Sequence, residues 1–561
     1  MASRRFTVTA ALPYANGLLH VGHIAGCYLP ADIFTRYLRS RGDEVAFICG
    51  SDDYGVPTAL TARKEGKAPQ EVADYYRAEQ KRDFDGLGIS FDIYSGTSTT
   101  SIHTEVSQHF FLRLLEGGHL EKQKAEQFYD PQAEMFLPDR YVEGICHHCG
   151  TGGARGDQCE ACGKTINPTQ LIQPKSVVTG ITPEVRGTVH WFFRLRDFEE
   201  RLRRWIGGHG EWRPMVRNFS LGLLDQGLPV RAITRDLAWG IPVPLPDDPD
   251  ARGKVLYVWF DAPIGYVSFT EQWCRERTGR AGEYERWWKD PDCRIVHFIG
   301  EDNVVFHALI WPAMLMGEGT FQLPHNVAAN CFLNIQFPGQ EEEKISKSRA
   351  TRGTAVWIKD YLASYDADPL RYYLTAIAPE QQRTAFRFED FIRRNNQELV
   401  ATLGNFVHRN LTFAHRYFDG KVPGRGDLSE HDRGQLAMAA GLPERASALL
   451  EDYRFKDGLE EVMAAARESN RYFDHREPWA LRKTDASACG TVVNVCLNTI
   501  KSLAVAMEPF LPFAAAKAAQ MLAATPQEMR WQAASQPLPE GRSLGEPVIL
   551  FHKLDEPAGS G

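Results

Sequence analysis

Residues 11–23 read ALPYANGLLHVGH and continue from the apolar, β-branched run RFTVTAAL at 5–12. Such a run, halted by Pro13 and Gly17, is a strand signal. Behind it, GHIAGCYLPADIFTRYLRSRG (22–42) carries a helical pattern closed by Gly42, and EVAFICG (44–50) is a second strand ending at SDDYG. Strands alternating with helices imply a parallel sheet covered on both faces, with ligands beyond the carboxyl ends of its strands. His20, His23, Asp52 and Asp53 all fall at those ends.

The histidines admit three readings. These are metal ligands with Asp52 or Asp53 as partner, satisfied core histidines, and donors aimed at a phosphate. Spacing i, i+3 places both on one side of a helical turn. A helix N-terminus has unsatisfied N–H groups and a partial positive charge, which favours phosphate. Gly22 between them permits close approach of a backbone or a flat base. A second element, KISKSR at 344–349, supplies Lys344, Ser346 and Lys347 in a loop: mobile point charges and a hydroxyl suited to a leaving pyrophosphate. By itself that element is a solvated basic loop following Glu341–Glu343. Paired with the histidines on an α/β sheet, it favours the phosphate reading.

The chain has 561 residues, 43% hydrophobic and 24% charged, with a formal net charge of −8. Length predicts about three to four domains. The acidic balance argues against a protein that coats nucleic acid through bulk charge and leaves room for a local RNA site. No continuous apolar run reaches the ~18 residues of a membrane span, and MASRR is followed by a Thr-rich strand instead of an apolar leader, so a cytoplasmic protein is expected. Of eleven cysteines, seven lie scattered in apolar segments. The other four form CHHC (Cys146–Cys149) and CEAC (Cys159–Cys162), flanked by glycines. Two such knuckles offer four thiolates to one tetrahedral ion with no position left open, so a structural Zn²⁺ on Cys146, Cys149, Cys159 and Cys162 is predicted, with paired disulfides the alternative.

Residues 118–232 break the strand–helix alternation, which returns with ITRDLAWGIPVPLP (233–246), YVWFDAPIGY (257–266) and RIVHFIG (294–300). Halves of one sheet split by an insertion explain this. Beyond about residue 388 the apolar positions Ile392, Leu399, Leu403, Phe406, Val407 and Leu411 follow a helical period, and a helical bundle is expected. PVILFHKL (547–554) reads as a returning strand.

ALPYANGLLHVGH together with KISKS resembles the class I aminoacyl-tRNA synthetases. RGDEVAFICGSDDYG, FLPDRYVEGIC, ITRDLAWGIPVP, YVWFDAPIGY, FHALIWPAML, GNFVHRN and REPWALR make the resemblance closest to the methionyl-tRNA synthetases, over essentially residues 5–550. The resemblance implies a Rossmann-type catalytic domain (1–117 and 233–343) split by a zinc-knuckle insertion (118–232). It further implies a KISKS module (344–387), a helical anticodon-binding domain (388–545) and a C-terminal return segment and tail (546–561). Methionine and ATP would give methionyl-adenylate and pyrophosphate, and the methionyl group would pass to the 3′ end of tRNA(Met). His20 and His23 would stabilise the transition state at the α-phosphate. Lys347 and Lys344 would hold pyrophosphate, with Gly22 and Ser346 completing the ATP site and Mg²⁺ sharing the charge.

Carried over by motif, the methionine pocket comprises Leu12, Tyr14, Trp259, Ala262, Pro263, Tyr266 and His307, with Asp52 pairing the substrate ammonium. Aromatic walls suit a thioether, and the polar edge of Tyr266 or His307 would donate to its sulfur. Asn303 stands where many bacterial members carry an apolar residue. Asn405, Arg409 and Trp479 would read the anticodon by hydrogen bonding and stacking. The insertion, about 115 residues, is too small for the separate editing domain of the isoleucine, valine and leucine enzymes. A monomer is expected because no appended dimerisation domain follows; no membrane or DNA partner is implied. Competing readings are an inactive tRNA-binding homologue and a tRNA-independent nucleotidyltransferase. The intact HVGH and KISKS oppose the first, and Asn405, Arg409 and Trp479 oppose the second.

Overall fold

The computed structural model describes residues 3–156, 159, 161–162, 166–336, 343–344 and 355–555. At its centre lies a five-stranded, all-parallel sheet in the order Asn326–Asn330, Cys293–Gly300, Arg5–Ala10, Glu44–Ser51, Ile93–Gly96. The first strand is thus the middle one, flanked on one side by a strand that follows it directly and on the other by a strand 288 residues downstream. Being covered on both faces, it tolerates Thr7 and Thr9 only because both hydroxyls are satisfied. Thr7 donates to the Trp287 carbonyl (2.8 Å), and Thr9 meets His297 Nδ1 at 2.6 Å.

The insertion departs from this pattern. Leu120–Asp130 and Glu184–Phe193 pair antiparallel along their length, and a separate three-stranded sheet, Ala154–Arg155, Val142–Ile145 and Ile172–Ser176, carries the cysteines. Cys146 and Cys159 join Phe128, Leu137, Tyr141, Val142 and Leu171 in a small core of their own.

From Phe388 the chain is largely helical, as the periodicity predicts, although Asn395–Gly404 winds as a π-helix. The helix Ala486–Met507 is long and apolar enough to cross a membrane, but 94% of its most apolar window is buried in the protein. Its polar side chains are bonded internally: Asn494 to the Pro423 carbonyl, Ser502 to that of Ala534, and Lys501 to that of Gln536.

PVILFHKL is not a strand. Leu550 and Phe551 are buried, but side-chain amides take up the main chain in place of a neighbouring strand. Asn395 donates to the His552 carbonyl (2.9 Å), and Asn396 both donates to Leu554 O (2.8 Å) and accepts from Leu554 N (2.9 Å). Of the apolar run, Leu550 and Phe551 are buried while Val548 and Ile549 face solvent, and two asparagines replace the ladder.

One buried side chain ties the bundle to the α/β body. Arg371, on Ala367–Ala376, pairs with Asp32 at 2.7 Å and donates to the carbonyls of Leu87, Pro509 and Phe510 at 3.1, 2.8 and 2.9 Å.

Candidate active site

The stretch that opens the chain ends where strand gives way to helix. The main chain beyond the first strand stays in the sheet layer, with Asp52 N donating to Pro13 O (2.9 Å) and Ala15 N to Asp52 O (3.0 Å). His20 then caps a continuous helical run from Val21 to Arg41, π-wound at Ile24–Tyr28 and closed by Gly42 at φ +87°. Gly22 N donates to His20 Nδ1 and His20 N to His23 Nδ1, both at 3.1 Å. An imidazole accepting at Nδ1 carries its hydrogen at Nε2. The rings stack with centroids 3.6 Å apart, so two Nε2–H groups stand side by side at a helix N-terminus.

The metal alternative for this pair lacks its ligands. Asp53 is fully engaged, by Arg77 (2.9 Å), the Ser51 hydroxyl (2.6 Å) and the N–H and O–H of Ser98 (3.0 and 2.8 Å). Among the described residues, only the four cysteines gather three or more metal-binding side chains.

Lys344 lies in the two-residue strand Glu343–Lys344, paired antiparallel with Leu333–Gln336, which starts just beyond the sheet strand Asn326–Asn330. Ser346 and Lys347 lie outside the described residues. The chain resumes against the histidines: Val21 N donates to Val356 O (3.1 Å), Ile358 N donates to Leu19 O (3.0 Å), and Trp357 bridges His20. The flanks of the lysine segment are therefore built into the same corner of the fold as HVGH.

The pocket residues assemble on the long helix Val258–Thr278 and its neighbours. Trp259 Nε1 donates to the Tyr14 hydroxyl at 2.6 Å and packs edge-on against Phe306. Tyr266 and His307 are buried together, the hydroxyl 2.8 Å from His307 Nε2. Burial lowers His307 to about 4, so the ring is neutral. Its Nδ1 faces the Asn303 carbonyl at 3.1 Å and must be the donor there, which leaves Nε2 to accept from Tyr266. The expectation that either edge donates to a thioether sulfur is thus not met in this arrangement, because both hydrogens are engaged. Asn303 acts through its main chain, fixing this tautomer, while its side chain donates to Asp302 (3.3 Å).

Asp52 is buried, its Oδ1 unpartnered, and its carboxyl is pushed well above the carboxylate range by burial and by the like charges of Asp261 and Asp53. Asp261 is raised by the same burial and also has an unpartnered oxygen. A positive charge beside two carboxyls buried in this way would favour their ionised forms.

At the knuckle the four sulfurs lie within 4.8 Å of one another, with Cys146–Cys162 at 3.9 Å and Cys149–Cys159 at 3.6 Å. The Thr151 hydroxyl, 3.3 Å from Cys149, favours its thiolate, which is held at about 6.

In the bundle, Asn405 and Arg409 share the helix Asn405–Tyr417. Arg409 lies 4.3 Å above Phe473 and pairs with Asp474 at 2.8 Å. Glu477, at φ +43°, ends one helix, Pro478 starts the next, and Trp479 is left 45% exposed beside Phe473. A core role for Trp479 is excluded by that exposure.

The chain matches the family model of class I tRNA synthetases (M) over residues 6–411 and that of the anticodon binding domain of methionyl tRNA ligase over residues 422–559. It belongs to the methionyl-tRNA synthetases. The methionine–tRNA ligase of Porphyromonas gingivalis is 48% identical over 99% of this chain and 79% of its own length. That of Thermococcus kodakarensis is 45% identical over 98% and 74%. Among solved structures, Mycobacterium tuberculosis methionyl-tRNA synthetase in complex with methionyl-adenylate aligns at a TM-score of 0.80 and 26% identity, over 98% of this chain and 99% of that one. Its apo form aligns at 0.74.

Three residues at this synthetase site escape sequence reasoning. Asp261 stands as the one carboxylate inside YVWFDAPIGY, which is a usable signal. His297 lies buried between Thr9 and the Tyr266–His307 pair, and Trp357 closes over His20. Neither has a local motif, because both are recruited by tertiary pairing.

Proposed function

We propose that the chain activates methionine with ATP, releasing pyrophosphate, and then transfers the methionyl group to the 3′ end of tRNA(Met). The observation that carries this is the paired histidines: both rings are held at Nδ1 by backbone N–H groups at a helix N-terminus and stack on one another, which leaves the hydrogens on Nε2. Attack of the methionine carboxylate on the α-phosphate builds negative charge on phosphoryl oxygens, and fixed donors stabilise it without reorganisation. We assign that role to His20 and His23, pyrophosphate binding to Lys344, Ser346 and Lys347, and close approach of the nucleotide to Gly22. Mg²⁺ accompanies ATP and shares its charge. Asp52 takes the ammonium of methionine, with Leu12, Tyr14, Trp259, Ala262, Pro263, Tyr266 and His307 forming the side-chain pocket. The domain boundaries follow the same reading, with the catalytic domain at 1–117 and 233–343 and the anticodon-binding domain at 388–545.

Asn405, Arg409 and Trp479 contact the anticodon in this reading. The exposed indole supports stacking, and Arg409 sits beside it through Phe473. Zinc fits the knuckle: sulfurs at ~2.3 Å from a tetrahedral ion are about 3.8 Å apart, matching the 3.6 and 3.9 Å observed. Such an ion, bound by four thiolates, supplies structural stability only.

ATP–pyrophosphate exchange with a panel of amino acids tests the reading. Methionine alone should stimulate exchange, and His23→Ala or Lys347→Ala should lower it by ~10²-fold or more. Exchange driven by another amino acid, or near-normal rates in these variants, refutes it. Metal analysis of a Cys149→Ala/Cys159→Ala variant should register the loss of one zinc per chain; unchanged zinc would exclude the knuckle.

A further inference from the structure

We propose that His431 and His475 form an exposed bis-imidazole site for one divalent transition-metal ion, bridging two helices of the C-terminal bundle. His431 lies in the first turn of Glu430–Glu451 and His475 in the last turn of Phe455–Arg476. Their Nε2 atoms approach to 3.2 Å and their ring centroids to 4.4 Å. Two nitrogens at ~2.0–2.1 Å from one ion, subtending 90–109° there, are about 2.9–3.4 Å apart. The ion takes the place of the single hydrogen the two rings now share, and no side chain has to move far to admit it.

The geometry is fixed from beneath. Asp432, next to His431, accepts from the Tyr472 hydroxyl at 2.6 Å and pairs at 3.1 Å with Arg476, next to His475. It also accepts from the N–H and O–H of Ser429 at 2.8 and 2.7 Å. This buried clamp locks the two helices together at the residues adjoining both imidazoles, and a metal site gains affinity from such preorganisation. Above the clamp opens a groove of about 530 Å³ lined by both histidines, Glu430, Gln435 and Glu468. It has room for water at the remaining coordination positions. Imidazole ligands select zinc, nickel or copper over magnesium or calcium. The site is separate from the cysteine knuckle, in a different part of the chain and with different donors.

Zinc-replete full-length protein, dialysed against free Zn²⁺ at pH 7.5, should bind one equivalent more than the His431→Gln/His475→Gln variant. Free Zn²⁺ should also raise Tm in the parent and not in the variant. Both substitutions are at exposed positions and glutamine keeps a polar pair there, so folding is preserved. Equal zinc content in parent and variant at pH 7.5 would reduce the pair to a simple hydrogen bond and overturn the proposal.

Discussion

Replacing Arg371 by Met removes a fully buried guanidinium that is bonded at once to the catalytic half and to the bundle. In the folded chain it is fully buried, paired with Asp32 and donating to three carbonyls. Removing one member of a buried pair costs about 3–5 kcal/mol. Asp32 retains Arg36 at 2.8 Å and the N–H and O–H of Ser90, which pulls the cost towards the lower figure. Against that, the carbonyls of Leu87, Pro509 and Phe510 lose their donor, at about 1–3 kcal/mol for each left unsatisfied. We expect a loss of ~4 kcal/mol for Arg371→Met. Arg371→Lys should lose roughly half as much, since an ammonium keeps the charge but not the planar fork. Urea unfolding followed by tryptophan fluorescence measures both. A shift below ~1 kcal/mol for Met, or equal losses for Met and Lys, would refute the reasoning. Because the contact joins bundle to catalytic body, aminoacylation of tRNA should fall more than methionine-dependent pyrophosphate exchange.

Trp479→Ala should weaken tRNA binding by about 10–100-fold, the value of one stacked base, while leaving pyrophosphate exchange intact; loss of exchange would instead indicate a folding defect. Burial and the like charges of Asp261 and Asp53 raise Asp52, which favours its protonated form over the carboxylate that pairs with an ammonium. Protons therefore compete with methionine, and KM for methionine should fall as pH rises from 6 to 8. In Asp52→Asn that slope should flatten and KM should increase; a parallel pH profile in both proteins would exclude Asp52 as the ammonium partner.

Much of this architecture is legible in the chain itself, for physical reasons. RFTVTAAL and EVAFICG are short β-branched runs that only a covered sheet buries well, and CHHC with CEAC states its geometry in its spacing. The helical period beyond 388 marks the bundle even where Asn395–Gly404 winds more widely. PVILFHKL misleads as a strand: only Leu550 and Phe551 are buried, and local sequence does not tell whether a strand or two asparagine amides will satisfy its backbone. The same holds in the pocket: Tyr266 and His307 were found by motif, but which hydrogens they retain depends on the Asn303 carbonyl, a main-chain atom. Trp357 and His297 were invisible because their neighbours at the site come from far along the sequence.

The position of the first strand has a consequence for synthesis. Arg5–Ala10 emerges first yet lies in the middle of its sheet, and one whole edge must await Cys293–Gly300, 288 residues later. At a translation rate of 5–20 residues per second that delay is roughly 15–60 s. During it the nascent catalytic half exposes an open row of amides and carbonyls, while the insertion, whose strands pair with one another, is free to close on itself. The split that inserts the cysteine knuckle between the two halves of the sheet thus makes the catalytic sheet the later of the two to be completed on the ribosome.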